Sequence, residues 1–118
     1  MSLGRATKSE RGFSKVVFKD SHDKQCEILC SSAIDDTDRG WDNPGTSYLY
    51  IGLSGPEPIV LCANAEKVGL QPTSSVGWQP YPIPDDVFIS TNMHLSREQV
   101  AGLIVRLQEW LDNGKFGD

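Results

Sequence analysis

The chain has 118 residues, of which 38% are hydrophobic and 23% charged, and it contains three cysteines. A chain of this length can bury a hydrophobic core without the support of disulfides or a metal ion. No run in the sequence reaches the roughly 18 consecutive apolar residues that a transmembrane helix needs, and an odd number of cysteines is typical of a reducing compartment. We therefore expect a cytoplasmic protein with no membrane partner.

The net charge of −5 is unevenly distributed along the chain. Residues 1–24 carry a net charge of +3, residues 25–95 carry −7 and residues 96–118 carry −1. Nucleic acid would be attracted only by the basic N-terminal arm, because the rest of the chain repels phosphate. We predict a flexible tail over residues 1–11, followed by a single α+β domain over residues 12–118, and the charge argues against a nucleic-acid partner.

Two strands separated by a turn are the first predicted elements. Hydrophobic residues cluster over residues 13–20, and cysteine and isoleucine alternate with polar residues over residues 24–32. Between them, Asp-Ser-His-Asp at 20–23 favours a turn and therefore a β-hairpin. Cys26 and Cys30 would share one face of their strand about 13 Å apart, too far for a disulfide. We interpret all three cysteines as reduced thiols.

The middle of the chain alternates short strands with irregular segments. Residues 33–47 are rich in Asp, Gly and Asn and have no periodicity, which predicts a long loop. The apolar segments 48–53 and 59–62 are predicted to be strands that pair with each other. The prolines and glycines of residues 64–84 favour an extended surface crossing, and residues 87–89 are predicted as the last strand.

An amphipathic helix is predicted near the C-terminal end of the sequence. Ser96 is the expected N-cap, Gln99 completes a capping box, and Asn113-Gly114 ends the helix. The apolar residues that repeat at helical spacing are Val100, Leu103, Ile104, Leu107, Trp110 and Leu111. An antiparallel sheet needs one face covered, so we expect an α+β fold in which about five mainly antiparallel strands pack against this helix. Leu107→Ala would then cost about 2–5 kcal/mol as a core truncation.

The acidic loop and His94 are the candidates for catalysis or metal binding. The loop carboxylates, of the kind that calcium prefers, belong to Asp35, Asp36, Asp38 and Asp42. Their spacing lacks the glycine turn and the closing glutamate of an EF-hand, so we interpret the segment as a solvated acidic loop without tight calcium binding. His94 has no Cys or His neighbour at ligand spacing, and we expect it to contact backbone or solvent rather than these carboxylates. The sequence predicts no catalytic residue, no metal and no cofactor.

Aromatic residues in or beside the irregular segments suggest a protein interface. We predict an interaction surface formed by Trp41, Trp78, Tyr81, Asp36 and Asp38. Its partner would be another protein or a second copy of the chain. The alternative role for the aromatic side chains is packing in the core or anchoring of a loop.

Several short segments of the chain form a recognisable set. They are Arg11-Gly12-Phe13, Phe18 with Asp20, residues 26–32, Ile51-Gly52, Gly77-Trp78, and Met93-His94-Leu95-Ser96-Arg97-Glu98-Gln99-Val100 through Gly114-Lys115-Phe116. Together they resemble a family of small phage and prophage proteins of unassigned function, whose pattern ends in a Met-His-Leu-Ser/Thr-Arg-Glu-Gln helix with a short glycine-containing tail. The chain departs from that pattern in its longer loop at 33–47 and in Tyr-Leu-Tyr-Ile-Gly at 48–52. The resemblance implies a viral accessory or interaction protein and brings no active site, cofactor or partner.

Three functions are compatible with the sequence. The favoured one is a non-enzymatic, phage-type accessory or interaction module that uses the loop 33–47 and the crossing 72–84 and acts in the host cytoplasm. The second is a small metal-dependent or hydrolytic enzyme that uses the acidic loop and His94. The third and weakest is nucleic-acid binding through the basic N-terminal arm.

Overall fold

The computed structural model describes residues 3–35 and 45–117, and the chain divides into two compact units. The first unit combines residues 1–54 with residues 91–118, and the second spans residues 55–90. That both units belong to one domain, as the sequence suggested, stays a prediction.

Seven strands and one α-helix lie within the described residues. In chain order these are β1 (Ala6–Lys8), β2 (Ser14–Lys19), β3 (Gln25–Cys30), β4 (Tyr48–Leu53), β5 (Ile59–Leu61), β6 (Trp78–Pro80), β7 (Asn92–Ser96) and α1 (Arg97–Asn113). The first unit holds a five-stranded antiparallel sheet in the order β1-β2-β3-β4-β7, whereas β5 pairs with β6 in the second unit. The predicted fold class, an α+β fold with a five-stranded antiparallel sheet and a C-terminal helix, is confirmed.

The predicted hairpin is confirmed between β2 and β3. The Asp20 carboxylate oxygen Oδ1 accepts hydrogen bonds from the backbone N–H groups of Lys24, at 2.9 Å, and His22, at 2.8 Å. These two bonds, that of Lys24 more strongly, lower the pKa of Asp20 because they stabilise its ionised form. Asp23 adopts a left-handed backbone with φ 65°, which aspartate tolerates better than most residues. Turn chemistry therefore sets the register of the first two long strands.

The strand register separates the sheet into an apolar face and a more polar face. Three rows of apolar side chains cross the apolar face: Val16, Ile28, Ile51 and Met93; Phe18, Cys26 and Leu53; and Cys30, Leu49 and Leu95. Among them only Cys26 is buried, at 6% exposure, and Met93 is 56% exposed. The opposite face carries Tyr48, Tyr50 and His94. The apolar face of the first unit is therefore partly open.

Strand β1 lies within the segment that was predicted to be a flexible tail. Its residues are exposed, yet they pair in register with residues 14–16 of β2. The connection is tightened by backbone hydrogen bonds from Ser9 to Phe13, at 2.8 Å, and from Gly12 to Ser9, at 2.9 Å. Ala-Thr-Lys buries almost no apolar surface, so this strand depends on backbone pairing, which hydrophobic periodicity does not detect.

Two predicted strand assignments in the second half of the chain are wrong. The predicted pairing of β4 with β5 is not formed, because β5 pairs with β6 and β4 pairs with β7. Residues 87–89 lie outside any strand, and the last strand is β7. In β7, Met93 and Leu95 alternate with His94, a strand pattern that is easily hidden because it directly precedes the helix cap.

The second unit contains regular structure where an irregular crossing was predicted. A 3-10 helix over Cys62–Val68 buries Cys62 and Ala65, which are 1% and 0% exposed. The Gln79 side chain, 4% exposed, accepts a hydrogen bond from the Thr73 N–H at 3.0 Å and donates one to the Gln71 carbonyl at 3.1 Å. One buried side-chain amide thus satisfies two backbone groups of the loop before β6.

The predicted caps of α1 are confirmed. The Ser96 hydroxyl accepts from the Gln99 N–H at 3.2 Å, and the Gln99 side chain accepts from the Ser96 N–H at 3.0 Å. Gly114, with φ 73°, ends the helix and donates its N–H to the carbonyl of Trp110. Because Ser96 is also the last residue of β7, the strand enters the helix without a linker. Among the described residues, none of the helices has the length and apolar character needed to cross a membrane.

The predicted burial of the apolar face of α1 is wrong. No residue between Arg97 and Asn113 is buried. Leu107, expected to be a core residue, is 50% exposed, and Leu111 is 70% exposed. Amphipathic periodicity identifies which side of a helix is apolar, but it does not identify what covers that side.

Candidate functional site

A groove of about 700 Å³ separates the first half of α1 from one end of the sheet. The apolar side chains that line it are Cys30, Leu49, Leu95, Val100, Ala101 and Ile104. Near the helix cap, the Arg97 guanidinium nitrogen Nη1 donates a hydrogen bond of 2.8 Å to the Thr46 carbonyl, which ties the first helical residue to the segment before β4. A mainly apolar groove with polar groups at one end is suited to binding apolar side chains.

Gly45 allows the segment before β4 to lie close against the end of the sheet. Its backbone has φ 85°, and a Cβ added there would lie 2.6 Å from the Cys30 Cβ and 2.8 Å from the Ser31 carbonyl oxygen. A side chain at this position would therefore force the segment away from the sheet. The glycine contributes to the groove by permitting this close approach.

An apolar stripe on α1 is continuous with the groove. The stripe comprises Val100, Leu103, Ile104, Leu107, Trp110 and Leu111, which lie within an arc of about 120° around the helix. Its last four members are 50–70% exposed, whereas the first two are half-buried. Val100 and Ile104 belong both to the stripe and to the groove wall. Together they form a contiguous apolar surface of the kind that marks interaction sites.

Polar contacts beside the stripe hold the C-terminal tail against the helix. The guanidinium of Arg106 lies 3.0 Å from the Glu109 carboxylate and also donates to the Gly117 carbonyl. The Gly117 N–H donates to the same Glu109 oxygen at 3.1 Å. This N–H first, and Arg106 second, hold the pKa of Glu109 below its ordinary value. The stripe is therefore bordered by paired polar groups.

An aromatic cluster surrounds His94 on the other face of the sheet. The imidazole ring lies between Tyr48 and Tyr50, with centroid distances of 4.9 Å and 4.6 Å. Its Nε2 atom lies 2.8 Å from the Ser31 hydroxyl oxygen. His94 is exposed to solvent, as expected, and it also bonds to a side chain, which was not expected. Within the described residues, no carboxylate hydrogen-bonds to it.

A serine hydroxyl bonded to an imidazole is the first part of a nucleophilic dyad. Ser31 is, however, only 3% exposed, and its hydroxyl oxygen also accepts from the Ala33 N–H at 3.1 Å. A working nucleophile needs room for substrate and a base that a third group orients. The geometry fits a structural role better, in which Ser31 links the end of β3 to β7.

Two of the five residues predicted to form an interaction surface lie in the part of the chain that the structure describes. Trp78 on β6 is 62% exposed, and Tyr81, directly after this strand, is half-buried. Both belong to the second unit. Trp41, Asp36 and Asp38 lie outside the described residues, so the surface as a whole stays a prediction.

The structure describes the acidic loop only in part. Asp36, Asp38 and Asp42 lie outside the described residues, and the backbone N–H of Asp35 donates to the Ser47 hydroxyl at 3.2 Å. In the part of the chain that is described, no three His, Cys, Asp or Glu side chains are grouped to hold a metal ion. All three cysteines are unpaired, and Cys26 and Cys62 are buried.

Comparison of the chain with protein-family models, curated proteins and solved structures finds no match. The resemblance to small phage proteins therefore stays a prediction.

The candidate site was visible in the sequence only in part. Helical spacing identified all six members of the stripe, but it assigned them to the core. The groove was not predicted, because Cys30, Leu49 and Leu95 share a row only through the observed pairing of β3, β4 and β7.

Proposed function

We propose that this chain is a non-enzymatic protein-interaction module that binds its partner through the apolar stripe and the adjoining groove. The observation that carries the proposal is the 50–70% exposure of Ile104, Leu107, Trp110 and Leu111. Contact of large apolar side chains with water costs free energy, which a partner that covers them recovers. A phage or prophage accessory role, implied by the resemblance of the C-terminal segment, belongs to the same proposal.

The dimensions of the stripe suggest the kind of partner surface. From Val100 to Leu111 the stripe is about 17 Å long, at 1.5 Å per residue. This length corresponds to three helical turns, over which a helix laid alongside presents apolar side chains at matching intervals. The groove beside Val100 and Ile104 supplies additional apolar surface for such a partner.

A hydrolytic activity is the second candidate, because the Ser31 hydroxyl lies 2.8 Å from His94 Nε2. A fluorophosphonate probe tests it directly, since such probes modify activated serines. Labelling of Ser31 that His94→Gln abolishes would favour an enzyme. The 3% exposure of Ser31 leads us to expect no labelling in the folded protein.

The interaction proposal can be tested with a photo-crosslinking amino acid at Leu107, on the stripe. The matched control places the same amino acid at Gly102, on the opposite side of the helix, where an added Cβ meets no atom within 4 Å. We expect discrete protein adducts from position 107 in cells that express the chain, and few or none from position 102. Equal adduct patterns from the two positions, or no adducts at all, would contradict the proposal.

A further inference from the structure

We propose that the partner of the apolar stripe is a second copy of this chain, with the two α1 helices packed antiparallel. This inference rests on the proposed function, because it names the occupant of the same surface. It is supported by the spacing of the apolar residues, by the direction of the helix dipoles and by the exposed apolar area.

The apolar spacing is compatible with an antiparallel pair. If the two helices cross at the midpoint of the stripe, Val100 of one copy lies opposite Leu111 of the other, and Ile104 lies opposite Leu107. The first contact joins the cap end of one helix to the far end of the other, and the second lies near the midpoint of both helices. The two stripes therefore cover each other along their whole length, as ridges and grooves require.

The helix dipoles favour the antiparallel orientation. An α-helix carries a partial positive charge at its N-terminus and a partial negative charge at its C-terminus. An antiparallel pair places the N-terminus of each helix beside the C-terminus of the other, whereas a parallel pair would place like ends together.

The charges near the two-fold axis do not oppose this arrangement. Arg106 lies beside the midpoint of the stripe and would approach its equivalent in the second copy. Its guanidinium is already 3.0 Å from the Glu109 carboxylate of its own chain. The pair is close to neutral, so its approach to the same pair in the second copy carries little repulsion.

The exposed apolar area is sufficient for a reversible dimer. The four exposed members of the stripe are Ile104, Leu107, Trp110 and Leu111. If an aliphatic side chain has an area of about 100 Å² and an aromatic one about 200 Å², their exposed fractions add up to roughly 300 Å² on each helix. At the roughly 65% apolar content of homodimer interfaces, the total buried area would be about 1,000 Å². This value lies at the lower limit for specific interfaces, which predicts a dimer that dissociates on dilution.

Sedimentation velocity over a wide concentration range tests the dimer. We expect the full chain to pass from monomer to dimer with increasing concentration. Leu107→Ser should raise the dissociation constant by at least about tenfold, because it removes a central contact of the stripe. Gly102→Ser, on the opposite side of the helix, should leave the constant unchanged, and circular dichroism should show that both variants keep the helix.

Disulfide crosslinking tests the orientation. A mixture of Val100→Cys and Leu111→Cys chains should form a disulfide between the two variants under mild oxidation. Each variant alone should form few crosslinks beyond the wild-type background from the native thiols. Efficient self-crosslinking of either variant alone would overturn the antiparallel arrangement.

The possible results separate this inference from the proposed function. A concentration-dependent dimer with mixed crosslinks supports both. A chain that stays monomeric up to several hundred micromolar, while position 107 still photo-crosslinks to a different protein, overturns the dimer and leaves the interaction proposal standing. A monomer without any adduct from position 107 overturns both.

Discussion

Replacement of Leu107 by alanine distinguishes a surface helix from a core helix. Complete burial of a leucine side chain stabilises a protein by about 1.5–3 kcal/mol. Because Leu107 is 50% exposed, about half of this contribution is present in one chain, and alanine recovers a few tenths through its higher helix propensity. We therefore expect a loss of about 1 kcal/mol or less, well below the about 2–5 kcal/mol of a core truncation.

The assay is urea unfolding followed by circular dichroism, at a protein concentration at which sedimentation shows the chain to be monomeric. Leu111→Ala provides an internal comparison, because Leu111 is 70% exposed and should lose less than Leu107. A loss above about 2 kcal/mol for Leu107→Ala in the monomer would show that the helix packs within its own chain. That result would also remove the basis for the proposed interaction surface.

Three further predictions concern other parts of the chain. Gly52→Ala should lower the free energy of unfolding by about 1–3 kcal/mol, because its Cβ would lie 2.6 Å from the carbonyl oxygen before β7; Gly55→Ala, with no atom within 4 Å, should barely move the urea midpoint. Gln79→Leu should cost about 1–3 kcal/mol and accelerate hydrogen exchange at the amide that bonds to its side chain, since two backbone groups lose their partner; unchanged exchange would contradict this. The pKa of Glu109 in an NMR titration should lie below the ordinary glutamate range and rise in Arg106→Gln. Because the pKa of Glu109 is lower in the folded state than in the unfolded state, its contacts stabilise the protein at a pH above the unfolded-state pKa. This stabilisation is lost as the pH falls through the folded-state pKa.

Local signals in the sequence predicted the elements that depend on neighbouring residues. The turn at residues 20–23 and the capping box of Ser96 and Gln99 are short-range hydrogen-bond patterns, so residue type and spacing suffice to find them. Strands β2, β3 and β4 were found because each has a continuous or alternating apolar pattern.

Pairing between distant segments could not be derived in this way. Strand β5 has an apolar sequence that fits several partners. Its pairing with β6 places Gln79, whose side chain bonds to two backbone groups, inside the second unit. Strand β1 has no apolar pattern at all, and β7 is too close to the helix cap to stand out. In each case the deciding contribution is a long-range backbone ladder, which the local sequence does not encode.

The candidate site shows the same division. The period of 3.6 residues located the stripe, including Leu107 and Trp110, because periodicity reports the direction of side chains around a helix axis. It could not report that most of the stripe stays exposed. That outcome depends on the angle at which the chain leaves β7, which the junction at Ser96 determines.

The direct junction of β7 and α1 makes the helix a lever. At 1.5 Å per residue, its 17 residues form an arm about 25 Å long that is attached to an edge strand without a flexible joint. A load on the far end of the arm acts first on the pair Ser96 and Tyr48, and a peeling force would open the ladder one pair at a time toward Asn92 and Gly52. A protein that pulls on the end of the stripe would thus load the sheet in the direction in which β7 separates most easily from β4.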